Sequence, residues 1–153
     1  MLDIGKRAPD FTLEDQEGKQ HTLKSLLEKG PLILYFYPAD FTPGCTKEAC
    51  TFRDLQKDLV KARLRVVGIS PQDADSHRRF AEKHDLNFPL LADPDKRVVK
   101  AYDLDGPLGF GVRRGTYLIG TDGLIKDHVL ADLQISKHEE FVERAIKSGA
   151  QMT

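Results

Sequence analysis

The six apolar residues from Leu32 to Tyr37 constrain the fold of this chain more than any other segment. A strand with one face in water alternates apolar and polar residues, whereas this run does not alternate, so a strand here must be covered on both faces. The run is also far shorter than the roughly 20 residues that a membrane-spanning helix needs. We therefore expect a central strand with helices packed on both sides of it.

Strands and helices alternate after this run. Apolar residues recur at three- and four-residue spacing over residues 46–62, which predicts an amphipathic helix. Residues 64–70 predict a second strand, which Pro71 ends. The other predicted elements are an N-terminal hairpin (11–13 with 21–23), helices at 75–84, at 94–102 and from Ser136 onward, a strand at 88–91, and a hairpin of 116–119 with 124–130.

This order of elements is that of a thioredoxin-like α/β fold. It predicts three layers, with a mixed central sheet, helices on both faces and an added N-terminal hairpin. No repeat, low-complexity tract or linker divides the sequence, and 153 residues suit one domain. We therefore predict a single domain over residues 1–153.

Charge and composition narrow the class of protein. The 23 lysines and arginines nearly balance the 24 aspartates and glutamates, so the formal net charge is -1. This balance gives no electrostatic reason to expect nucleic acid or an anionic membrane as the main partner. Residues 1–6 have the features of neither a signal peptide nor a transit peptide. We therefore expect a cytoplasmic protein.

The histidines carry no pattern that points to chemistry. None of them has the spacing of a metal ligand set, and we expect each to be a surface residue rather than a ligand or a catalytic base. The five are His21, His77, His84, His128 and His138.

The two cysteines, Cys45 and Cys50, are too few for a disulfide-stapled scaffold. Cys45 follows the buried strand closely, at the end where α/β sheets place their sites. If Thr42 caps the next helix, Pro43 takes the first helical position and Cys45 the third. A thiolate there meets the positive end of the helix dipole and free backbone N–H groups. Since an ordinary thiol is only about 3% thiolate at pH 7, such stabilisation would activate Cys45.

Cys50 lies five residues after Cys45. On an ideal helix their Cα atoms would be about 8–9 Å apart, which exceeds the limit of about 7 Å for a disulfide. A disulfide between them therefore requires the first turns of the helix to unwind. The plainer interpretation of each residue stays open, since a cysteine on a helix face can also be a small apolar core residue.

Four motifs together carry a family resemblance. They are a Pro-x-x-x-Thr-x-x-Cys motif (Pro38, Thr42 and Cys45), a second cysteine (Cys50) with Glu48 between the two, an opening of Gly5 followed by residues 8–13, and the segment Arg114–Ile119. With these motifs the chain resembles a peroxiredoxin of the bacterioferritin-comigratory-protein type, also called the Q type. The resemblance covers most of the chain, from residue 5 to about residue 130.

The resemblance implies a thiol-dependent peroxidase in antioxidant defence. Cys45 would be the nucleophile that reduces hydrogen peroxide or an organic hydroperoxide and becomes a sulfenic acid. Thr42 would offer its hydroxyl, Arg114 would supply positive charge, and Pro38 would shield the pocket. Cys50 would form a disulfide with Cys45 that thioredoxin or a similar dithiol reduces. The family needs no metal or organic cofactor and, in this subgroup, forms a monomer or weak homodimer.

The choice of Arg114 over the adjacent Arg113 rests on motif spacing alone.

The sequence also leaves other functions open. A thioredoxin-like thiol-disulfide oxidoreductase is disfavoured because the sequence has no Cys-x-x-Cys motif. A copper or zinc carrier would use Cys45, Cys50 and a histidine. A non-catalytic interaction protein with the same fold is the remaining alternative.

Overall fold

The structure is a computed structural model that describes residues 1–148 of the chain. Its strands and helices alternate through most of the chain, as the sequence predicts. In chain order they are β1 (Thr12–Glu14), β2 (Gln20–Thr22), α1 (Leu23–Leu27), β3 (Leu32–Phe36), α2 (Pro43–Asp54), α3 (Gln56–Lys61), β4 (Arg65–Ser70), α4 (Ala74–His84), β5 (Leu90–Ala92), α5 (Arg97–Ala101), β6 (Gly115–Ile119), β7 (Ile125–Leu130) and α6 (Ile135–Ser148).

The central sheet has five strands in the order β5-β4-β3-β6-β7. The neighbours β3 and β4 run parallel, as do β4 and β5, whereas β6 is antiparallel to both β3 and β7. The predicted mixed sheet is therefore confirmed. The added N-terminal hairpin is confirmed as well, since β1 and β2 form a separate antiparallel pair.

The strand β3 lies at the centre of the sheet, and all five of its residues are buried. Leu32, Leu34 and Phe36 pack into a core with α1, α5 and the N-terminal segment. Ile33 and Tyr35 pack into a second core with α2, α3, α4 and α6. The non-alternating apolar run is thus explained, because each face of the strand is covered by a different helical layer.

Several element boundaries differ from the sequence prediction, and two of the differences have a clear local description. The helix predicted over residues 46–62 is two helices, α2 and α3, separated by Leu55 with φ -87° and ψ 0°. Neither glycine nor proline marks this break in the sequence. The second strand of the hairpin ends at Thr22 because a capping box starts α1: the Thr22 hydroxyl accepts from the backbone N–H of Ser25, and Ser25 Oγ accepts from that of Thr22.

The last helix, α6, begins at Ile135, one residue before the predicted start at Ser136, and has 14 residues. Its buried stripe packs against the sheet and against α2. None of the helices in residues 1–148 combines the length and the apolar character needed to cross a membrane.

A buried polar cluster anchors the segment between β3 and α2 to α4 and β5. Asp40 Oδ2 lies 2.7 Å from His77 Nδ1, and both side chains are fully buried. The Tyr37 hydroxyl donates to Asp40 Oδ1 at 2.7 Å, and Ser76 Oγ donates to Asp40 Oδ2 at 2.8 Å. His77 Nε2 lies 3.1 Å from the carbonyl oxygen of Leu91. These contacts hold the start of α2 in place relative to the sheet.

Replacing Asp40 by alanine is therefore expected to lower the free energy of unfolding by about 3–5 kcal/mol, because all the buried partners of the carboxylate then lack their hydrogen-bond acceptor. Urea denaturation followed by circular dichroism measures the loss. The control is Asp75→Ala, whose carboxylate lies on the surface beside Arg78 and Arg79 and should change stability by less than about 1 kcal/mol. Equal effects of the two substitutions would contradict the anchoring role.

Candidate active site

The first turn of α2 presents Cys45 as the sequence predicts. Thr42 is the N-cap residue in extended conformation (φ -77°, ψ 150°), and Pro43 takes the first helical position. Cys45 is therefore the third residue of the helix, where backbone N–H groups have no helical acceptor and the dipole is positive. Its side chain is a free thiol and is 1% exposed. Local sequence thus places a buried sulfur at an electropositive helix end.

Arg114 brings a cation to this sulfur from the strand side. Its Nη2 donates to Cys45 Sγ at 3.3 Å, and its Nη1 donates to Glu48 Oε1 at 2.7 Å. The backbone N–H and Nε of Arg114 donate to Asp132 at 2.9 Å and 3.3 Å, which fixes the side chain from behind. A Cβ on Gly44 would lie 3.2 Å from Arg114 Nη2. Glycine at that position therefore leaves room for the guanidinium beside the helix end.

The neighbouring Arg113 does not reach the sulfur. It pairs with Asp132 Oδ2 at 2.8 Å, and its side chain is 43% exposed. The two adjacent arginines, which directly precede β6, therefore lie in different environments: Arg114 is buried against α2, and Arg113 is at the surface. The sequence favours Arg114 on motif spacing alone, and this placement agrees with that choice.

Glu48 is a member of the site that the sequence analysis noted only as part of a motif. It lies one turn after Cys45 on α2, and its carboxylate is fully buried between Arg114 and His138. Burial raises the pKa of Glu48 to about 7, although the charge and the hydrogen bond of Arg114 act in the opposite direction. The Arg114 pKa is raised: burial alone would lower it, but Glu48 and Cys45 together outweigh burial.

Among the described residues, none of the other three predicted site residues forms a hydrogen bond to the sulfur. The Thr42 hydroxyl donates to the Ala39 carbonyl at 3.2 Å, and Pro38 is exposed. Cys50 is a half-buried free thiol on the same continuous helix as Cys45. Because both cysteines lie in regular helix, a bond between their sulfurs requires α2 to unwind, as the sequence geometry predicts.

The expectation that all five histidines lie at the surface is wrong. His77 and His138 are 0% exposed and His21 is 9% exposed. The sequence carries a signal for this, because His77 precedes the buried Phe80 and Ala81 by three and four residues on α4. His138 likewise falls on the buried stripe of α6, three residues after Ile135 and three before Phe141. Buried imidazoles need polar partners, and both have them.

Within residues 1–148, no three His, Cys, Asp or Glu side chains are grouped so that they could hold a metal ion.

Comparison with known proteins places the chain in one family over most of its length. The AhpC/TSA family matches residues 4–128. A putative peroxiredoxin of Mycobacterium tuberculosis is 40% identical over 154 residues, covering 97% of this chain and 100% of the relative. Chloroplastic peroxiredoxin Q of Triticum aestivum is 44% identical over 136 residues, covering 88% of this chain, and this chain spans 62% of the wheat protein's length.

Solved structures show the same fold. The crystal structure of peroxidoxin BcpB from Mycobacterium tuberculosis has a TM-score of 0.90 and 36% identity, covering 100% of this chain and 99% of the other. Peroxiredoxin Q of Xanthomonas campestris has a TM-score of 0.86 and 30% identity, covering 98% of both chains. The thioredoxin-like α/β fold predicted from the element order is thereby confirmed. The chain belongs to the AhpC/TSA family and is a peroxiredoxin of the Q type.

Proposed function

We propose that Cys45 is the peroxide-reducing nucleophile of this peroxiredoxin and that Cys50 resolves its oxidised form. The observation that carries the proposal is the contact of 3.3 Å between Arg114 Nη2 and Cys45 Sγ at the start of α2. A buried guanidinium and a helix N-terminus both favour the thiolate over the thiol. The thiolate is the reactive form of cysteine.

The proposed reaction has three steps. The Cys45 thiolate attacks the terminal oxygen of a hydroperoxide; the O–O bond breaks, the sulfur becomes a sulfenic acid, and the leaving alkoxide or hydroxide takes up a proton. The Cys50 thiol then attacks the sulfenic acid, which forms a disulfide and releases water. An external dithiol finally reduces the disulfide and is itself oxidised. Arg114 donates hydrogen bonds at the place where negative charge moves from sulfur to oxygen.

Thr42 and Pro38 belong to the proposal as residues of the substrate pocket. Thr42 is the N-cap of α2, and its hydroxyl donates to the Ala39 carbonyl; in the proposal the hydroxyl turns from this carbonyl to the bound peroxide. Pro38 lies exposed on the loop that leads into α2, where a bound peroxide would gain cover from it.

The mass of the protein after one equivalent of hydrogen peroxide tests both cysteines at once. Wild type is expected to lose the mass of two hydrogen atoms as the disulfide forms, whereas Cys50→Ser is expected to gain one oxygen atom as the sulfenic acid persists. Cys45→Ser serves as the control and should keep its mass. An oxygen adduct in wild type that never becomes a disulfide would exclude Cys50 as the resolving residue.

Three further features remain proposals. Thioredoxin or a similar dithiol is proposed as the reductant, because the proposed chemistry ends in a disulfide that a dithiol can reduce by thiol–disulfide exchange. A monomer or weak homodimer is proposed as the oligomeric state, and the cytoplasm as the location. The near-neutral net charge of -1 fits small uncharged peroxides, which need no long-range electrostatic attraction.

A further inference from the structure

One carboxylate oxygen in the buried site has no hydrogen-bond partner. Glu48 Oε1 accepts from Arg114, but Glu48 Oε2 is buried with no partner among the described residues. The Nδ1 atom of His138 lies 3.5 Å from Oε2, and both side chains are 0% exposed. A buried carboxylate oxygen that accepts nothing is costly, whereas a protonated one can donate.

The contacts of His138 show which of its nitrogens can receive that proton. His138 Nε2 lies 2.9 Å from the carbonyl oxygen of Ala131, which only accepts, so Nε2 carries a hydrogen. His138 Nδ1 lies 2.8 Å from Thr116 Oγ1, a hydroxyl that can either donate or accept. In the neutral imidazole Nδ1 is therefore an acceptor: the Thr116 hydroxyl donates to it at 2.8 Å, and Glu48 Oε2 lies 3.5 Å from the same atom.

The charged groups around Glu48 favour a protonated carboxyl. Arg114 is the cation in contact with both Cys45 Sγ and Glu48 Oε1. From β3, Tyr35 presents a buried hydroxyl whose pKa burial raises, with the nearby acids acting in the same direction, so it stays neutral. Asp132, in the loop before α6, is paired with Arg113. Two anions, the Cys45 thiolate and an ionised Glu48, would thus share one guanidinium.

We propose that Glu48 carries a proton on Oε2, the oxygen that faces His138 Nδ1, and that this proton keeps the charge of Arg114 available to the Cys45 thiolate. With the proton in place, Glu48 accepts from Arg114 without competing as a full anion. When the proton leaves, Glu48 becomes a second negative charge beside the thiolate and draws the guanidinium towards itself. Glu48 and His138 are positioning residues that act through Arg114. The inference rests on the proposed role of Cys45 as the nucleophile.

The directions of the pKa shifts agree with this arrangement. Burial raises the pKa of Glu48 to about 7, so its carboxyl gives up the proton as the pH rises through neutrality. Burial also lowers the pKa of His138, and the charge of Arg114 acts in the same direction, so the imidazole is a neutral acceptor. The expected direction follows: Arg114 stabilises the Cys45 thiolate most while Glu48 is protonated, and less once the pH rises above about 7.

The test is the pH dependence of Cys45 reactivity in a Cys50→Ser background. Rates are measured with hydrogen peroxide and, separately, with iodoacetamide, for Glu48→Gln and for its unmodified parent. Glutamine keeps an oxygen for Arg114 and places an NH2 group towards His138 Nδ1, so it imitates the protonated carboxyl at every pH. The ratio of the Glu48→Gln rate to the parent rate is expected to rise from near one in acid to roughly tenfold in base, the effect of one partly screened charge.

A second variant separates positioning from a merely structural role. His138→Gln keeps a donor for the Ala131 carbonyl but removes the nitrogen that faces Glu48. In this variant Glu48 is expected to lose its proton more easily. The loss of Cys45 reactivity that accompanies ionisation of Glu48 should therefore occur at lower pH. A structural defect would instead lower the rate equally at all pH values. The matched control is Glu140→Gln, an exposed glutamate on α6, which should follow the parent curve.

The two rate measurements distinguish failure of the inference from failure of the proposed function. A constant ratio of Glu48→Gln to parent rates with both reagents overturns the inference, even if the protein reduces peroxide. A ratio that rises with pH for iodoacetamide supports it, because alkylation reports the thiolate whether or not peroxide is the substrate. Absence of any reaction of the parent with peroxide would instead count against the proposed function. Superimposable curves for His138→Gln and its parent would remove His138 from the proposal.

Discussion

Cys45→Ser is expected to abolish thioredoxin-dependent consumption of hydrogen peroxide, with activity falling to the uncatalysed background. A serine hydroxyl at this position stays protonated at neutral pH, and it lacks the polarisable sulfur that attacks the O–O bond. The loss should occur without unfolding, because serine differs from cysteine by one atom in a side chain that is 1% exposed. Peroxide loss measured with a dye-based assay, beside circular dichroism for the fold, checks both points.

The matched control for this substitution is the second cysteine. Cys50→Ser is expected to keep the first reduction of peroxide at a near wild-type rate and to lose turnover with the dithiol, because the disulfide cannot form. Rapid mixing with one equivalent of peroxide separates the first step from turnover. Undiminished peroxide consumption by a folded Cys45→Ser protein would sink the assignment of the nucleophile.

Arg114→Gln is expected to slow the reaction of the reduced protein with peroxide by about 10²–10³-fold, the usual effect of removing one donor that stabilises charge in a transition state. Arg114 Nη2 touches the sulfur at 3.3 Å and belongs to a side chain that is 7% exposed. Water therefore cannot replace it easily. The second-order rate constant for hydrogen peroxide, measured by rapid mixing, gives the size of the effect.

Loss of stability must be separated from loss of chemistry in this experiment. Removing Arg114 leaves the buried Glu48 carboxyl protonated and without its donor, which is expected to cost about 1–3 kcal/mol. The double variant Arg114→Gln with Glu48→Gln removes the stranded acid, so it should regain stability while staying slow. Arg113→Gln, which loses only a surface pair, should react at the wild-type rate. A larger kinetic effect at Arg113 than at Arg114 would contradict the assignment of Arg114 as the cation that acts on the sulfur.

Much of the architecture follows from local pattern. The run from Leu32 to Tyr37 predicts a strand buried on both faces, and β3 is that strand. The Thr42-Pro43 pair predicts the helix start, and α2 begins there. In both cases the determining interactions lie within a few residues of one another: backbone geometry fixes proline at the first helical turn, and apolar continuity requires cover on both sides.

The prediction is weaker where the determining contact is distant in sequence. His138 lies 22 residues from Thr116 in the chain, and their side chains meet at 2.8 Å. Arg114 and Glu48 are separated by 66 residues and meet at 2.7 Å. The break at Leu55, between α2 and α3, likewise has no glycine or proline to announce it. The sequence pattern alone cannot tell whether a histidine on an amphipathic helix is exposed or buried, because this depends on what packs against that face of the helix.

The sequence by itself determined the alternation of strands and helices, the central buried strand and the position of Cys45 in the first turn of a helix. These depend on propensity, periodicity and capping, which act over one or two turns. Only the tertiary structure decided that Arg114 rather than Arg113 reaches the sulfur, and that Glu48 and His138 lie buried behind it. The physical reason is that β6 and α6 must pack against α2 before any of these charges shares a low-dielectric environment, and burial then makes each depend on its neighbours.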